Sequence, residues 1–177
     1  MKEIKLVRML FGVCEFGHLT EAENGKLPQK CGCGSDLILS YQSPVPERKH
    51  HFDAGFDLHS AVTQTITSNA VAKIPLGIKI QLPEEEDYIW EAQIRPRSGL
   101  ATKGLTIINT PGTVDSGYRG QLIALCIMAI PGAEMQINRG ERICQLIVTR
   151  MPKTRFVEVA ELDSTDRGAG GFGSTGI

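Results

Sequence analysis

The sequence predicts an all-β protein, a sandwich or jelly-roll barrel, on three observations. Short apolar or alternating runs recur with Gly, Pro, Asn and Asp turn signals about every ten residues. Helical periodicity is almost absent, its best candidate being a short segment after Arg97 and Ser98, through Leu100–Lys103. The chain, at 177 residues, is long enough for one domain with a buried core and a small appendage.

Charge and cysteine content narrow the class. Lys plus Arg number 19 against 20 Asp plus Glu, a net charge of −1, so nothing global favours nucleic acid or an anionic membrane surface. No apolar run reaches the roughly 18 residues of a membrane span, and the N-terminus alternates where a signal peptide would carry an apolar block. A cytoplasmic protein is expected. The five cysteines are odd in number, and Cys126 and Cys144 lie inside apolar runs. Reduced thiols follow, not a disulfide framework.

In chain order, Glu3–Phe11 alternates as one strand, and residues 1–11 form the first unit. Residues 12–36 follow as a cysteine- and histidine-bearing element. Cys14 and His18 form one close pair and Cys31 and Cys33 a second, each beside glycine. Two pairs of thiolate or imidazole ligands on a short polar connector suit a tetrahedral structural Zn²⁺, a zinc-ribbon-like staple for a segment too small for its own core. Asp36–Tyr41 reads as a strand and Gln42–Arg48 as a Pro-bearing linker. His50 and His51, being adjacent, point to opposite faces and read as solvated.

From Asp53 the pattern is β throughout. Ala54–Ala61 alternates around Phe56 and Leu58; Val71–Pro83 reads as two short pieces bounded by Pro75. An acidic turn precedes a strand with Ile89, Trp90 and Ile94. Leu105–Val114 reads as a hairpin around Asn109-Thr110-Pro111-Gly112. Gln121–Ile130 and Ile143–Met151 are apolar enough to be buried on both faces, which points to burial shared between subunits. Residues 37–162 are thus one barrel, closed by Arg155–Leu162. Residues 163–177 form a flexible arm with five glycines among its last eleven residues.

Chemistry gathers between Ile94 and Leu122. Arg97 and Ser98 offer donors to phosphate oxygens, Gly99 permits close backbone approach, and Asp115 stands alone at the end of the second arm. The arm carries Arg167 for phosphate, Phe172 for stacking on a base, and glycine amides that can cradle oxygens.

Five segments resemble, in order, the motifs of the trimeric deoxyuridine triphosphatase (dUTPase) family: AGFDLHSA (54–61), PRSGLA (96–101), GTVDSGYRG (112–120), GERICQL (140–146) and RGAGGFGSTG (167–176). The likeness runs from about residue 53 to the C-terminus. It implies a jelly-roll-like β-barrel assembled as a homotrimer with active sites shared between subunits. The activity implied is Mg²⁺-assisted hydrolysis of dUTP to dUMP and pyrophosphate by water attack on the α-phosphorus, which keeps uracil out of DNA and feeds dTMP synthesis.

By the same resemblance Asp115 is the general base. Asn109 and the backbone of Gly112, Thr113 and Val114 read uracil, and Tyr118 packs under the deoxyribose. Arg97, Ser98, Gly99 and Gln145 bind phosphates, and Asp57 holds Mg²⁺ through water. In the arm, Phe172 stacks on uracil while Arg167, Gly173, Ser174 and Thr175 clamp the outer phosphates. Three features depart from the pattern, one of them Cys144, which stands where alanine is usual. Ser116-Gly117 stands where many members carry a second acid before the tyrosine, and most members lack residues 14–34.

Two other functions compete with this one. A regulatory protein would bind dUTP and use residues 12–36 to touch a protein or nucleic-acid partner of unknown identity. A dCTP deaminase shares the barrel but relies on a different hairpin and a glutamate beside the phosphate turn. No membrane role is expected.

Overall fold

A computed structural model describes residues 2–14, 19–23, 26–33 and 35–170, with backbone alone at 12–14, 19 and 38–40. His18, Phe172, Gly173, Ser174 and Thr175 lie outside the described residues. The chain opens with β1 (Lys5–Arg8), β2 (Leu10–Cys14), β3 (Leu19–Glu21) and β4 (Leu37–Gln42). Then come β5 (Phe56–His59), β6 (Gln64–Thr67), β7 (Ala72–Pro75), β8 (Ile78–Gln81) and β9 (Tyr88–Pro96). One short helix, α1 (Ser98–Ala101), leads to β10 (Leu105–Ile107), β11 (Gly112–Val114), β12 (Ile123–Met128), β13 (Glu134–Ile137) and β14 (Arg142–Pro152). The protein is all-β, as the turn spacing predicts, and α1 falls in the one segment with helical character.

Two sheets supply most of the core. A four-stranded sheet runs β11-β9-β14-β5 and a three-stranded sheet β10-β12-β7. Their inward residues, among them Leu58, Ala92, Ile94 and Leu146 from one and Ile74, Leu105, Ile107 and Cys126 from the other, merge in a single cluster. Alternation drives this arrangement: every second residue of a half-buried strand faces the partner sheet. Fully burying each such Leu or Ile contributes about 1.5–3 kcal/mol against leaving it in water. The pairs β13-β6 and β1-β8 add to the same body.

Four sequence expectations need correction. Glu3–Phe11 is two strands, because buried Met9 donates its N–H to the Gly77 carbonyl at 2.9 Å and the chain then leaves β8 for another sheet. The Leu105–Val114 segment is not a hairpin. Its first arm, β10, pairs with β12 and its second, β11, with β9, so the two arms diverge into different sheets. The apolar run around β12 is buried on one face only, with Ala124, Cys126 and Met128 inside and Ile123 exposed. Its outer face lines a cavity described below. The segment Arg155–Leu162 forms no strand, and Phe156, Val157, Val159 and Leu162 are exposed.

Residues 10–42 build a separate sheet in the order β3-β2-β4. Met9 and Phe11 pack with Ala61 of the main body, flanked by Tyr41. The Tyr41 hydroxyl donates to the Ser60 carbonyl (3.2 Å), and Arg139 reaches over the Tyr41 ring (5.6 Å) while donating Nε–H to the Ala61 carbonyl (3.1 Å). Cys14 pairs with Leu37, and the Cys31 N–H donates to the Ser35 carbonyl at 2.9 Å beside the Lys30–Asp36 bridge. The backbone of Cys14 and the turn bearing Cys31 and Cys33 therefore occupy one end of this sheet. No group of three metal-capable side chains occurs among the described residues, a set that excludes His18 and the Cys14 side chain.

Candidate active site

Where β10 and β11 part, they leave a cavity of ≈ 400 Å³. Asn109, Gly112, Thr113 and Val114 line one side, with Asp115 and Tyr118 beyond them and Ile94, Leu122 and Leu125 at its apolar back. Asn109 lies so close to Gly112 that a Cβ there would sit 3.1 Å from Asn109 Nδ2, so glycine lets the amide rest against the strand. The Val114 side chain anchors β11 in the core, and the next residue, Asp115, is exposed. A turn follows, closed by Tyr118 N–H to the Asp115 carbonyl at 3.0 Å. The Tyr118 hydroxyl donates to the Gln121 carbonyl (3.0 Å), and Arg119 donates to the carbonyls of Ser116 (2.7 Å) and Tyr118 (2.9 Å). The aromatic ring is thus tethered at both ends.

A second cavity, of ≈ 530 Å³, holds Arg97, Ser98, Gly99 and Gln145 together with Asp57, Lys49 and Lys103. Register explains the grouping. Gln145 on β14 stands opposite Asp57 on β5 and opposite Arg95 on β9, and Arg97 follows directly after β9. Gln145 donates from Nε2 to the Pro96 carbonyl at 2.9 Å, which ties it to the turn carrying Arg97.

Arg142 and Gln145 are three residues apart and would face opposite sides of a regular strand. An irregularity between Arg142 and Cys144 shifts the register, so that Ile143 and Cys144 are both buried and Arg142 stands opposite His59. Arg142 thereby joins the polar face. Asp57 Oδ2 accepts from its Nη1 at 2.9 Å, and Asp57 Oδ1 from Arg97 Nε, also at 2.9 Å. Arg97 also donates Nη1–H to the Arg142 carbonyl at 3.1 Å.

Burial pushes the His59 pKa below 6.5, with Arg142 and Arg97 adding to the fall while Asp57 and Glu47 oppose it. Desolvation drives the Cys126 thiol up to about 12 and Cys144 well above its ordinary value, so neither supplies a nucleophile. Mg²⁺ keeps several waters and needs only one or two carboxylates beside the phosphates. A carboxylate offers about four lone-pair positions, so Asp57 fits a water-mediated contact even with both arginines in place.

The structure thus gathers Asn109, Gly112, Thr113, Val114, Asp115 and Tyr118 in one cavity and Arg97, Ser98, Gly99, Gln145 and Asp57 in another. Among the described residues, none lines both. Arg167 lies in neither and donates Nε–H to the Gly170 carbonyl at 3.1 Å.

The dUTPase family profile matches residues 41–176. The chain belongs to the dUTPase family. It is 45% identical over 134 residues to the deoxyuridine 5'-triphosphate nucleotidohydrolase of Thermobifida fusca, covering 75% of this chain and 73% of that one. Against the enzyme of the same name from Rhodococcus erythropolis the identity is 48%, covering 75% of this chain and 79% of the relative. Among solved structures, a Staphylococcus bacteriophage 80alpha dUTPase variant with dUpNHpp superposes with a TM-score of 0.66 at 27% identity, covering 76% of this chain and 93% of that one.

Within this family fold, the sequence reading missed several cavity residues, Asp53 in the second cavity among them. Lys73 and Gln121 line the first cavity, and Lys49 and Lys103 the second. Lys73 carried a signal, a lysine inside the otherwise apolar strand AKIP. Gln121, whose Nε2 is buried without a partner among the described residues, carried none.

Proposed function

We propose that this chain hydrolyses dUTP to dUMP and pyrophosphate, at sites that pair the Asp115 cavity of one subunit with the Arg97 cavity of another in a homotrimer. The observation behind this reading is the division of the site: base- and sugar-binding groups with the acid in one cavity, phosphate-binding groups in a second, and no shared wall. Each chain carries two complementary halves.

The chemistry follows from the residues. Asp115 accepts a hydrogen bond from water and takes its proton as the water oxygen bonds to the α-phosphorus. The bond from that phosphorus to the bridging oxygen breaks, and pyrophosphate departs with the electron pair. Arg97, Ser98, Gly99 and Gln145 orient the phosphates; in the arm, Arg167, Gly173, Ser174 and Thr175 would clamp the outer phosphates and Phe172 would stack on uracil. Asp57 would hold a Mg²⁺ ion through water, and that ion would supply positive charge against the phosphates.

Uracil pairs with backbone groups of Gly112–Val114 and with Asn109. Cytosine reverses the donor and acceptor order and leaves buried groups unpaired, at about 1–3 kcal/mol each. Tyr118 under the sugar excludes a 2′-hydroxyl. Removal of dUTP in the cytoplasm would keep uracil out of DNA and supply dUMP for dTMP synthesis.

Two measurements test the reading. Pyrophosphate release from dUTP, with dCTP, dTTP and UTP left largely intact, is expected; deamination of dCTP would overturn it. Co-refolding two inactive variants, Asp115→Asn and Arg97→Ala, should regenerate activity, because mixed trimers contain sites with both residues intact. A mixture as inactive as its components would exclude shared sites.

A second reading concerns residues 12–36, which precede the family match. One structural Zn²⁺ held by Cys14, His18, Cys31 and Cys33 is favoured by the placement of Cys14 beside the Cys31–Ser35 turn. Metal analysis of untagged protein should give near-stoichiometric zinc, lost in Cys31→Ser/Cys33→Ser. A regulatory role through a protein or nucleic-acid partner is the companion possibility, since phage 80alpha dUTPases are described as controlling transfer of virulence genes. A pull-down with and without residues 12–36 tests it.

A further inference from the structure

We infer that Lys49 and Lys103 form a cationic clamp for the leaving pyrophosphate, two positioning residues beyond the phosphate binders of the recognised motifs. The inference rests on the dUTP-hydrolase reading above.

Topology brings the two lysines together. The sheet order β9-β14-β5 places Gln145 on the middle strand. Lys103 follows β9 through α1, and Lys49 precedes β5, so the two approach Gln145 from opposite sides and line the same ≈ 530 Å³ cavity. Both are anchored by backbone. The Lys103 N–H donates to the Leu100 carbonyl at 3.0 Å, and the Thr102 hydroxyl to the Gly99 carbonyl at 3.0 Å, fixing Lys103 relative to Arg97 and Ser98. Lys49 precedes a turn in which the His50 N–H donates to Asp53 Oδ2 (2.9 Å) and the Asp53 N–H to the His50 carbonyl (3.1 Å).

Charge sets these two groups apart from the rest of the cavity wall. Asp57, an acid of the cavity wall, is held between two guanidiniums. Asp53, the other acid there, has one oxygen on the His50 N–H. Neither lysine makes an ion pair or side-chain hydrogen bond among the described residues. The charged residues that line the cavity, Lys49, Arg97 and Lys103 against Asp53 and Asp57, leave it net positive. Arg97 is fixed by three constraints at once (Asp57, the Arg142 carbonyl and its place after β9) and suits a phosphoryl group that must not move. Lysine is a compact point charge on a flexible stem with three donors. That suits a group changing from a bridged phosphate into a departing pyrophosphate, whose charge rises as the bond breaks.

The test uses the full-length oligomer and two exposed positions, so folding is not at stake. Binding of inorganic pyrophosphate, dUMP and a non-hydrolysable dUTP analogue is measured by calorimetry for wild type, Lys49→Ala/Lys103→Ala and Lys49→Arg/Lys103→Arg. Pyrophosphate affinity should fall about ten-fold or more in the alanine variant, with a shallower salt dependence, and return toward wild type with arginine. Binding of dUMP should stay unchanged and kcat for dUTP should fall more than KM rises. Unaltered pyrophosphate affinity in an alanine variant of an active enzyme would overturn the clamp while leaving the hydrolase reading intact. A wild-type protein that binds pyrophosphate but leaves dUTP intact would overturn the hydrolase reading and with it the clamp's role.

Discussion

The Asp57 carboxylate accepts from Arg97 Nε at 2.9 Å and, through its other oxygen, from Arg142 Nη1 at the same distance. One acid thus sets the direction of the guanidinium expected to meet phosphate. Asp57→Asn keeps the shape but removes the charge, so Arg97 loses its anchor. The groups are only partly buried, and the expected stability loss is about 1 kcal/mol after allowing for solvent screening. Catalysis should suffer more than stability. We expect kcat/KM for dUTP to fall by about ten-fold or more, checked by steady-state kinetics beside thermal melts.

Gln145 offers a sharper steric test. A Cβ at Gly55 would overlap Gln145 Oε1, with its carboxamide carbon at 3.1 Å. Gly55→Ala must therefore push the side chain off the Pro96 carbonyl. The nearest atom is the far end of a flexible side chain, so the cost lies at the low end of the overpacking range of about 1–3 kcal/mol, and the displaced amide loses its hold on the turn carrying Arg97. Turnover should drop at least ten-fold, whereas Gly55→Ala combined with Gln145→Ala should recover stability without recovering activity.

The contrast between those two residues and the lysines shows what a sequence can carry. Arg97 and Asp115 are residue types suited to phosphate and proton chemistry, and Asp57 and Gln145 are marked by the segments that resemble the dUTPase motifs. The all-β class was equally legible, because strand alternation and turn residues are local signals. The fate of β10 and β11 was not. A Pro-Gly turn between two apolar arms looks like a hairpin locally, and only the pairing with β12 and β9 shows that they separate beside the Asn109–Asp115 cavity. The register shift at Arg142 and Cys144 was hidden for the same reason. One extra residue in a strand leaves the composition unchanged but turns Arg142 toward Asp57. Lys49 and Lys103 lie 54 positions apart and meet only through the β9-β14-β5 order.

His59 gives the protein a pH signature. Its folded pKa is depressed, chiefly by burial, so between the folded value and the ordinary 6.5 the unfolded chain binds more protons. The stabilising contribution is therefore complete above about pH 6.5 and is lost as pH falls through the folded value. His59→Gln removes the term. Denaturation midpoints compared from pH 7.5 down to 5.5 should show the variant losing less stability than wild type over that window. Parallel curves would show that His59 does not titrate differently on folding.

Cys126 and Cys144 should be silent in thiol chemistry. Both are fully buried, and the Cys126 thiol is raised to about 12, so thiolate is scarce at pH 8. Alkylation of the native protein at that pH should leave these two unmodified by mass spectrometry, and denaturant should expose them. Fast native labelling at either position would mean that the core opens on the timescale of the reaction.

Tyr118 decides between two explanations of sugar selectivity, bulk or tether. The hydroxyl bond to the Gln121 carbonyl lies at an exposed position, so Tyr118→Phe keeps the ring and should lose less than about 1 kcal/mol. Gly120→Ala acts differently, since a Cβ there would overlap the Tyr118 hydroxyl and its adjoining ring carbon. The ring must then move even though every atom of the tyrosine remains. If ring position excludes the 2′-hydroxyl, Tyr118→Phe keeps the preference for dUTP over UTP, while Gly120→Ala lowers it about ten-fold, within the 10–200-fold that a small steric difference can supply. Equal preferences in wild type and both variants would assign sugar discrimination to another wall of the cavity, with Ile123 and Leu125 the nearest apolar candidates on β12.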